Sequence, residues 1–478
     1  MLEKLQAAVS LGEKLGADFV EARFDDLTLR TLRRIKTKKD DTWKDIMLKS
    51  RTGTGITCYF DGTPGYSFTA SEDLKDIEET VTRAYGMAKA ASTAATLKLD
   101  FDRRPAVKSR SSDSLSVKIH PRSKGQDYKM DLINRMVDTA FDVGKEIENI
   151  TGAYGELTGQ KLFTNSEASI IEWEFLLVDM MCRVTSKASS GALVFGSERN
   201  AGSLGLEAYN RKGSTPEEVG KKAAMFAAEQ IQAKSCPAGK FVTLIDNDLA
   251  GVLAHESFGH LSEADFVTMG ASPLAGKIGN KLGTKYATIV DGGNPDIQKE
   301  GGMWLPFDDQ GIRANMTTIL DRGILKHYLH NRGTAQQLEQ EPTGNCRAVH
   351  FGFMPIPRMT NTYFKPGDLT EEEALEQLGT GIYAIQTSGG QVEGDGSFLF
   401  KADRGYWVEH GEIQHPILEV SLSGNILELL QHIKGATRDI GLWGSYFGGC
   451  GKFGQYPLPA GIGGPKLLIQ NVTFGGKV

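Results

Sequence analysis

The chain has 478 residues, a formal net charge of −6, 40% hydrophobic and 24% charged residues. That balance is ordinary for a globular protein, the length has room for two or three domains, and the acidity argues against non-specific DNA binding as the main task. No apolar run approaches the ~18 residues of a membrane-spanning helix. Five scattered cysteines without a CxxC pair point to a reducing compartment, the cytoplasm, rather than a disulfide framework.

The opening MLEKLQAAVSLGEKLGADF carries mixed charges and no continuous apolar centre, so it is not a signal peptide. Leu2, Leu5, Val9 and Leu15 predict an amphipathic helix instead. Strands are predicted at Phe19–Phe24, Thr54–Phe60 and near Tyr66–Phe68, the last after the turn signal Asp61-Gly62. Arg30 to Lys36 alternates apolar and charged residues, a strand with one wet face rather than a nucleic-acid patch. Ser71 is a candidate N-cap for a long helix. Residues 101–127, rich in Arg, Lys, Ser and Pro, have the character of a linker. A helix near Tyr128–Gly144, a strand at Glu172–Val178 and a helix over Thr215–Lys234 follow.

Ser235 to Gly239 breaks the pattern, and the main boundary is placed there. The domains are expected at 1–236, with a subdivision near 101–127, and at 237–478. Lys240–Ile245 predicts a strand and Leu249–Gly259 a helix. Beyond it the chain is glycine-rich and short-stranded, with turns expected at Asp291–Pro295 and Ser388–Gly390. Strands and helices mix without βαβ alternation, which favours an α+β class.

His255-Glu256-Ser257-Phe258-Gly259-His260 is an HExxxH motif. Two neutral imidazoles can hold zinc, and an adjacent glutamate can take a proton from activated water, the equipment of a metal-dependent hydrolase. The familiar HExxH puts its histidines at i and i+4. A step of i+5 on an ideal helix turns the second ring by roughly 140°. The helix must therefore distort or end between the rings, and a π-bulge at Gly259 would return them to one side. The other histidines, 120, 327, 330, 350, 410, 415 and 432, show no metal spacing and are read as structural; His327 and His330 are expected on a strand. Gly451-Lys452 lacks the glycine and the Ser or Thr of a phosphate loop.

Further blocks stand in order downstream. Gly251–Ala254 leads into the motif, and Glu263 and Asp265 follow it. Then come Asp308-Asp309-Gln310-Gly311, Pro342-Thr343-Gly344-Asn345, Pro357–Thr362, Gly389-Gly390-Gln391-Val392 and Cys450–Gln455. Together they resemble the TldD/PmbA family of zinc metallopeptidases, once called modulators of DNA gyrase. The resemblance covers residues 240–478 clearly and the first half more weakly. It is to the metal-bearing, TldD-like kind of chain, since His255, Glu256, His260 and Cys450 are all present. One departure is Leu261-Ser262-Glu263-Ala264-Asp265, where relatives have the glycine-rich GLEGD.

The resemblance implies a two-domain fold with a twisted, mainly antiparallel C-terminal sheet. It also implies a dimer enclosing the metal, and hydrolysis of unfolded peptides or small, poorly folded proteins. Zn²⁺ is expected on His255, His260 and Cys450, with Glu263 or Asp265 as rival third ligands and Glu256 as general base. Arg358, Asn361 and Tyr363 are candidates, by chemistry alone, for binding substrate and stabilising an oxyanion. The expected partners are a peptide substrate and a second copy or a metal-less paralogue, with neither nucleic acid nor membrane. Two other readings stay open: a non-catalytic peptide-binding or regulatory subunit, and, less in keeping with the charge, an effector of DNA topology.

Overall fold

The computed structural model describes the chain apart from residues 96–97, 100–103, 111–114, 145, 189–190, 294–300 and 476–478. Its first half is built on one seven-stranded sheet. Long strands dominate it: β1 (Phe19–Thr37), β2 (Asp41–Phe60), β5 (Ile147–Asn165) and β6 (Ile170–Lys187), with shorter β3 (Thr63–Thr69), β4 (Lys108–Arg110) and β7 (Leu193–Gly202). The order is β3-β2-β1-β5-β6-β4, with β7 also on β6. All pairings are antiparallel except β4 on β6.

Alternation along β1 explains how this sheet is buried on both faces. Val20, Ala22, Phe24 and Leu32 point to the helices α1 (Leu2–Leu15), α2 (Leu74–Ser92), α3 (Gln126–Phe141) and α4 (Pro216–Glu229). The intervening Leu27 and Leu29 pack with Leu157, Phe175 and Leu177 on Met303 and Leu305 of the second half. Polar residues of that second face are matched too. Arg23 donates to the carbonyl of His350, and Gln310 donates to Glu21. Arg332 makes two 2.8 Å bonds to Glu167.

The second half holds a twelve-stranded sheet. Its centre is the last strand, Gly461–Gly475, flanked by Gly239–Ile245 and Asn361–Phe364. Most pairings are antiparallel; Asn361–Phe364 runs parallel to the last strand, and Gly239–Ile245 parallel to Gly381–Val392. The two sheets and their helices give an α+β fold.

Some local expectations are corrected. Ser71 does not cap α2; its hydroxyl accepts from Asp73 N, and Asp73 occupies the cap position without a side-chain bond. The linker 101–127 contains β4 and the short 3₁₀ turn Pro121–Ser123. Gly389 and Gly390 lie within the strand Gly381–Val392, where the register slips as a bulge between Thr387 and Gly389, rather than in a turn. His330 lies outside any regular strand, buried and bonded to Thr334 and Gln340. Part of the turn expected at Asp291–Pro295 and of the linker lies outside the described residues.

Candidate metal centre

Asp246 follows the strand Gly239–Ile245 and caps α5 (Asn247–Val252), its carboxylate accepting from Leu249 N at 3.0 Å. α5 lies close against the last strand: a Cβ on Gly251 would stand 2.4 Å from Gly463 N. The chain then winds as a π-helix over Leu253–Gly259 and as a 3₁₀ turn over His260–Ser262. The π bond that closes this segment runs from His260 N to His255 O. Widening the turn brings residues i and i+5 together, and the two imidazole rings stand 5.4 Å apart, edge to face.

Gly259 is needed here for space. Its backbone is ordinary right-handed helix, but a Cβ would stand 1.8 Å from Met359 Sδ. The π segment thus packs directly on the Pro357–Thr362 stretch. Its exit is pinned to Leu329, which donates to Ser262 O at 2.7 Å and accepts from Ala264 N at 2.9 Å.

Cys450 opens a tight hairpin, Cys450–Lys452 with Gln455–Leu458. Phe453 and Gly454 make the two-residue turn, both with positive φ. Before the cysteine, Gly449 has φ 140° and lies against Leu458 O, a backbone state that favours glycine. The loop leading to it is tied to the first sheet. Asp179 of β6 accepts from Tyr446 N at 3.0 Å and Phe447 N at 3.2 Å, and Tyr446 OH meets Thr31 of β1 at 2.8 Å.

These elements bring His255, His260 and Cys450 together, with one ligand atom from each lying within 4.8 Å of the others. Cys450 Sγ is 3.2 Å from His260 Nε2. Burial alone would raise the Cys450 thiol, but the adjacent imidazoles outweigh it and bring it down to about 5. Burial would lower both imidazoles; the thiolate raises His255, while Glu263 and then the thiolate raise His260 further. Two histidines and a thiolate are a donor set suited to zinc or another soft divalent metal. His255 Nδ1 is buried without a hydrogen-bond partner, an orphan that a metal would satisfy if it lies on that side of the ring. The residues fit a metal.

Glu263 and Asp265 are not in this ligand cluster. Glu263 is fully buried, and despite that burial its carboxyl is held below the usual range by His260, Lys452 and Arg358. An ionised carboxylate only accepts, so His260 Nδ1, at 3.0 Å, is the donor and Nε2 is left for a metal. Lys452 Nζ, on the Cys450 hairpin, lies 3.1 Å from Glu263 and 2.6 Å from Asp265. It also donates to Pro357 O. One buried ammonium therefore ties the hairpin bearing the thiolate to the turn bearing the histidine. Sequence reasoning missed this role for Glu263 and missed Lys452 altogether; the available signals were the i+3 spacing from His260 and a lysine two residues beyond the cysteine.

Glu256 stands beside the cluster, about a third exposed, its Oε2 3.9 Å from His260 Nε2. The three oxyanion candidates are placed otherwise. Arg358 is buried behind Glu263, its Nε 3.8 Å away. Asn361 is buried, and its amide bonds Gly292 O, Met303 O and Met303 N. Tyr363 is packed with Val290 and Leu442. Arg358 and Asn361 hold the structure around the site rather than reach a substrate.

Two histidines, a thiolate and an adjacent carboxylate form a recessed cluster that could hold a metal ion. Two family descriptions match the chain: the PmbA/TldA metallopeptidase C-terminal domain over residues 238–476 and the central domain over 119–231. A metalloprotease of Methanocaldococcus jannaschii is 33% identical over 479 residues, covering 97% of each chain. A zinc metalloprotease TldD homologue of Saccharolobus solfataricus is 33% identical over 250 residues, 52% of this chain and 54% of its own. In fold, the chain is similar to a Thermotoga maritima protein described as a modulator of DNA gyrase. That match has a TM-score of 0.77 and 23% identity, covering 99% of this chain and all of the other. The chain belongs to the TldD/PmbA family of metallopeptidases.

Proposed function

We propose that this chain is a zinc-dependent peptidase acting on unfolded peptides or small, poorly folded proteins, with His255, His260 and Cys450 holding the zinc and Glu256 as general base. The observation that carries this reading is the convergence of three ligand atoms within 4.8 Å beside the partly exposed carboxylate of Glu256, whose Oε2 is 3.9 Å from His260 Nε2. The name of the Saccharolobus relative supports zinc. A purely structural site takes four protein ligands; three beside a partly exposed carboxylate favour catalysis over a peptide-binding or regulatory role.

Zinc in this position would polarise the scissile carbonyl and acidify water. Glu256 takes the proton of the attacking water and hands it to the departing amine nitrogen. Glu263 holds His260 in the tautomer and orientation that ligation needs, and Lys452 and Arg358 keep Glu263 ionised and in place. His255 and Cys450 are only 5% and 4% exposed. A chain must enter extended to reach them, which excludes a folded surface.

The working form we propose is a cytoplasmic dimer; no described helix is long and apolar enough to cross a membrane. Elemental analysis of protein purified without chelator should find one zinc per 52.0 kDa chain. That protein should cleave an unstructured peptide and spare the same sequence locked inside a folded domain. Metal-free active protein, or equal cleavage of both substrates, would refute the reading.

A further inference from the structure

A cleft of about 640 Å³ opens on the second half, and none of the metal-site residues lines it. That volume suits a small ligand. Three segments wall it: the approach to the strand Ile289–Asp291, the turn after Thr317–Asp321, and the exit from Asn361–Phe364. Thr288 ties them together. Its hydroxyl oxygen accepts from Arg322 N at 3.0 Å, and its carbonyl accepts from Lys365 N at 2.9 Å. Lys326 N donates to Ile319 O at 2.8 Å, which folds the chain back over that strand. The backbone that carries the charged side chains is therefore fixed.

The turn itself is unusual. Arg322 and Gly323 link Asp321 to Ile324 as a two-residue hairpin loop, with φ of 45° and 81°. Asn or Asp normally takes the first place in such a loop. An arginine held with positive φ is a local cost, and such costs gather where a side chain has work to do.

The charge of the cleft is as uneven as its backbone is fixed. Lys285, Arg322, Lys326 and Lys365 line it against two carboxylates, Asp321 and Asp368, in a chain of net charge −6. Asp321 lies 3.7 Å from Arg322 Nε with both side chains well exposed, so it neutralises little. Among the described residues, Lys326 and Lys365 form no ion pair, and Lys285 stands over the ring of Tyr286 at 4.9 Å. By contrast, Arg33, Arg34, Lys36 and Lys38 on and beside β1 each have a carboxylate partner. Cations of one sign in a recess focus the field on an anion. Lysines bind phosphate as point charges, and arginine grips it with two donors. An acidic strand would turn every second carboxylate away, whereas successive phosphates of one chain all fit inside.

We infer that this cleft is a binding site for a small polyphosphate, either inorganic or the phosphate chain of an organic triphosphate. Calorimetric titration of the zinc-loaded protein with sodium tripolyphosphate tests this. In ~0.1 M salt it should show one site per chain with a Kd below about 100 μM. Lys326 and Lys365 are exposed, so reversing their charge leaves the core alone. Lys326→Glu with Lys365→Glu should raise Kd at least about tenfold, while Lys326→Arg with Lys365→Arg should hold it within about threefold. Cys450→Ser protein should bind as the wild type does, which separates the cleft from phosphate captured by zinc. Hexaglutamate should bind at least about tenfold more weakly. ATP binding tighter than tripolyphosphate marks an organic triphosphate as the ligand, and equal or weaker binding marks an inorganic one. No binding of tripolyphosphate at about 1 mM, a double glutamate variant that binds as tightly as wild type, loss of binding in Cys450→Ser protein, or hexaglutamate binding as tightly as tripolyphosphate would each overturn the inference.

Discussion

The chemistry of single side chains decides how a metal is held. Glu263 bonds His260 and lies outside the candidate ligand cluster, so Glu263→Gln keeps the shape and removes the charge. Zinc affinity, measured by chelator competition, should fall about 10–100-fold. Lys452→Met leaves Glu263 and Asp265 buried without their ammonium and should cost about 3–5 kcal/mol, read from denaturant unfolding. The pH dependence follows from Cys450. Its folded value of about 5 lies far below the ordinary thiol range. In metal-free protein the stabilisation from the thiolate is therefore complete above the unfolded value near 9 and is lost as pH falls through 5. The raised histidines have the opposite sign: their contribution is full below about 6.5 and declines as pH rises. Thiolate absorbance at 240 nm, taken as wild type minus Cys450→Ser, should titrate near pH 5. The other cysteines stay protonated there, since burial raises Cys58, Cys182, Cys236 and Cys346.

At the scale of elements, the π-helix is what turns an i, i+5 pair into a site. Gly259→Ala would drive a methyl into Met359 and should cost about 1–3 kcal/mol together with weaker zinc binding. Met359→Ala in the same protein makes room and should recover most of the zinc affinity, which a chelator titration of the three proteins would reveal. The need for distortion was legible from the 3.6-residue turn alone, because two ligands five residues apart cannot share an ideal helix face. The steric reason for Gly259 was not, since Met359 lies a hundred residues away in sequence. The same limit applies to Glu263: its partner Lys452 arrives from another hairpin, and a local reading left it among the ligands. Strand lengths were under-read as well. The short apolar windows Phe19–Phe24 and Thr54–Phe60 are ends of β1 and β2, whose remaining stretches intersperse apolar residues such as Leu27, Leu29 and Leu32 with charged ones that face solvent or form ion pairs such as Arg34 with Asp138.

Across the whole molecule, the first sheet is a platform for the second half. Asp179, on β6, holds the backbone that leads to Cys450, although it contacts none of the metal-site residues. Asp179→Ala should therefore weaken zinc binding several-fold and leave the histidine turn intact, whereas Thr31→Val, which removes one hydroxyl partner of Tyr446, should do less; isothermal calorimetry on the two variants makes the comparison. The break in pattern at Ser235–Gly239 falls between the helix Pro216–Glu229 and the strand Gly239–Ile245. The mutual burial of the two halves was not legible, because the residues of β1 that face the second half, Glu21, Arg23 and Asp25, are charged and nothing nearby in the sequence signals it. They become buried only when Asp309, Gln310 and Arg332 arrive to meet them.

The central claim is that Glu256 moves the proton in a reaction this site carries out. The measurement is the cleavage rate of an unstructured peptide by the Glu256→Ala protein, with its zinc content determined on the same sample. One zinc per chain and a rate lowered by about 10²–10⁴-fold is the predicted result. A zinc-loaded Glu256→Ala protein that cleaves at the wild-type rate would contradict it.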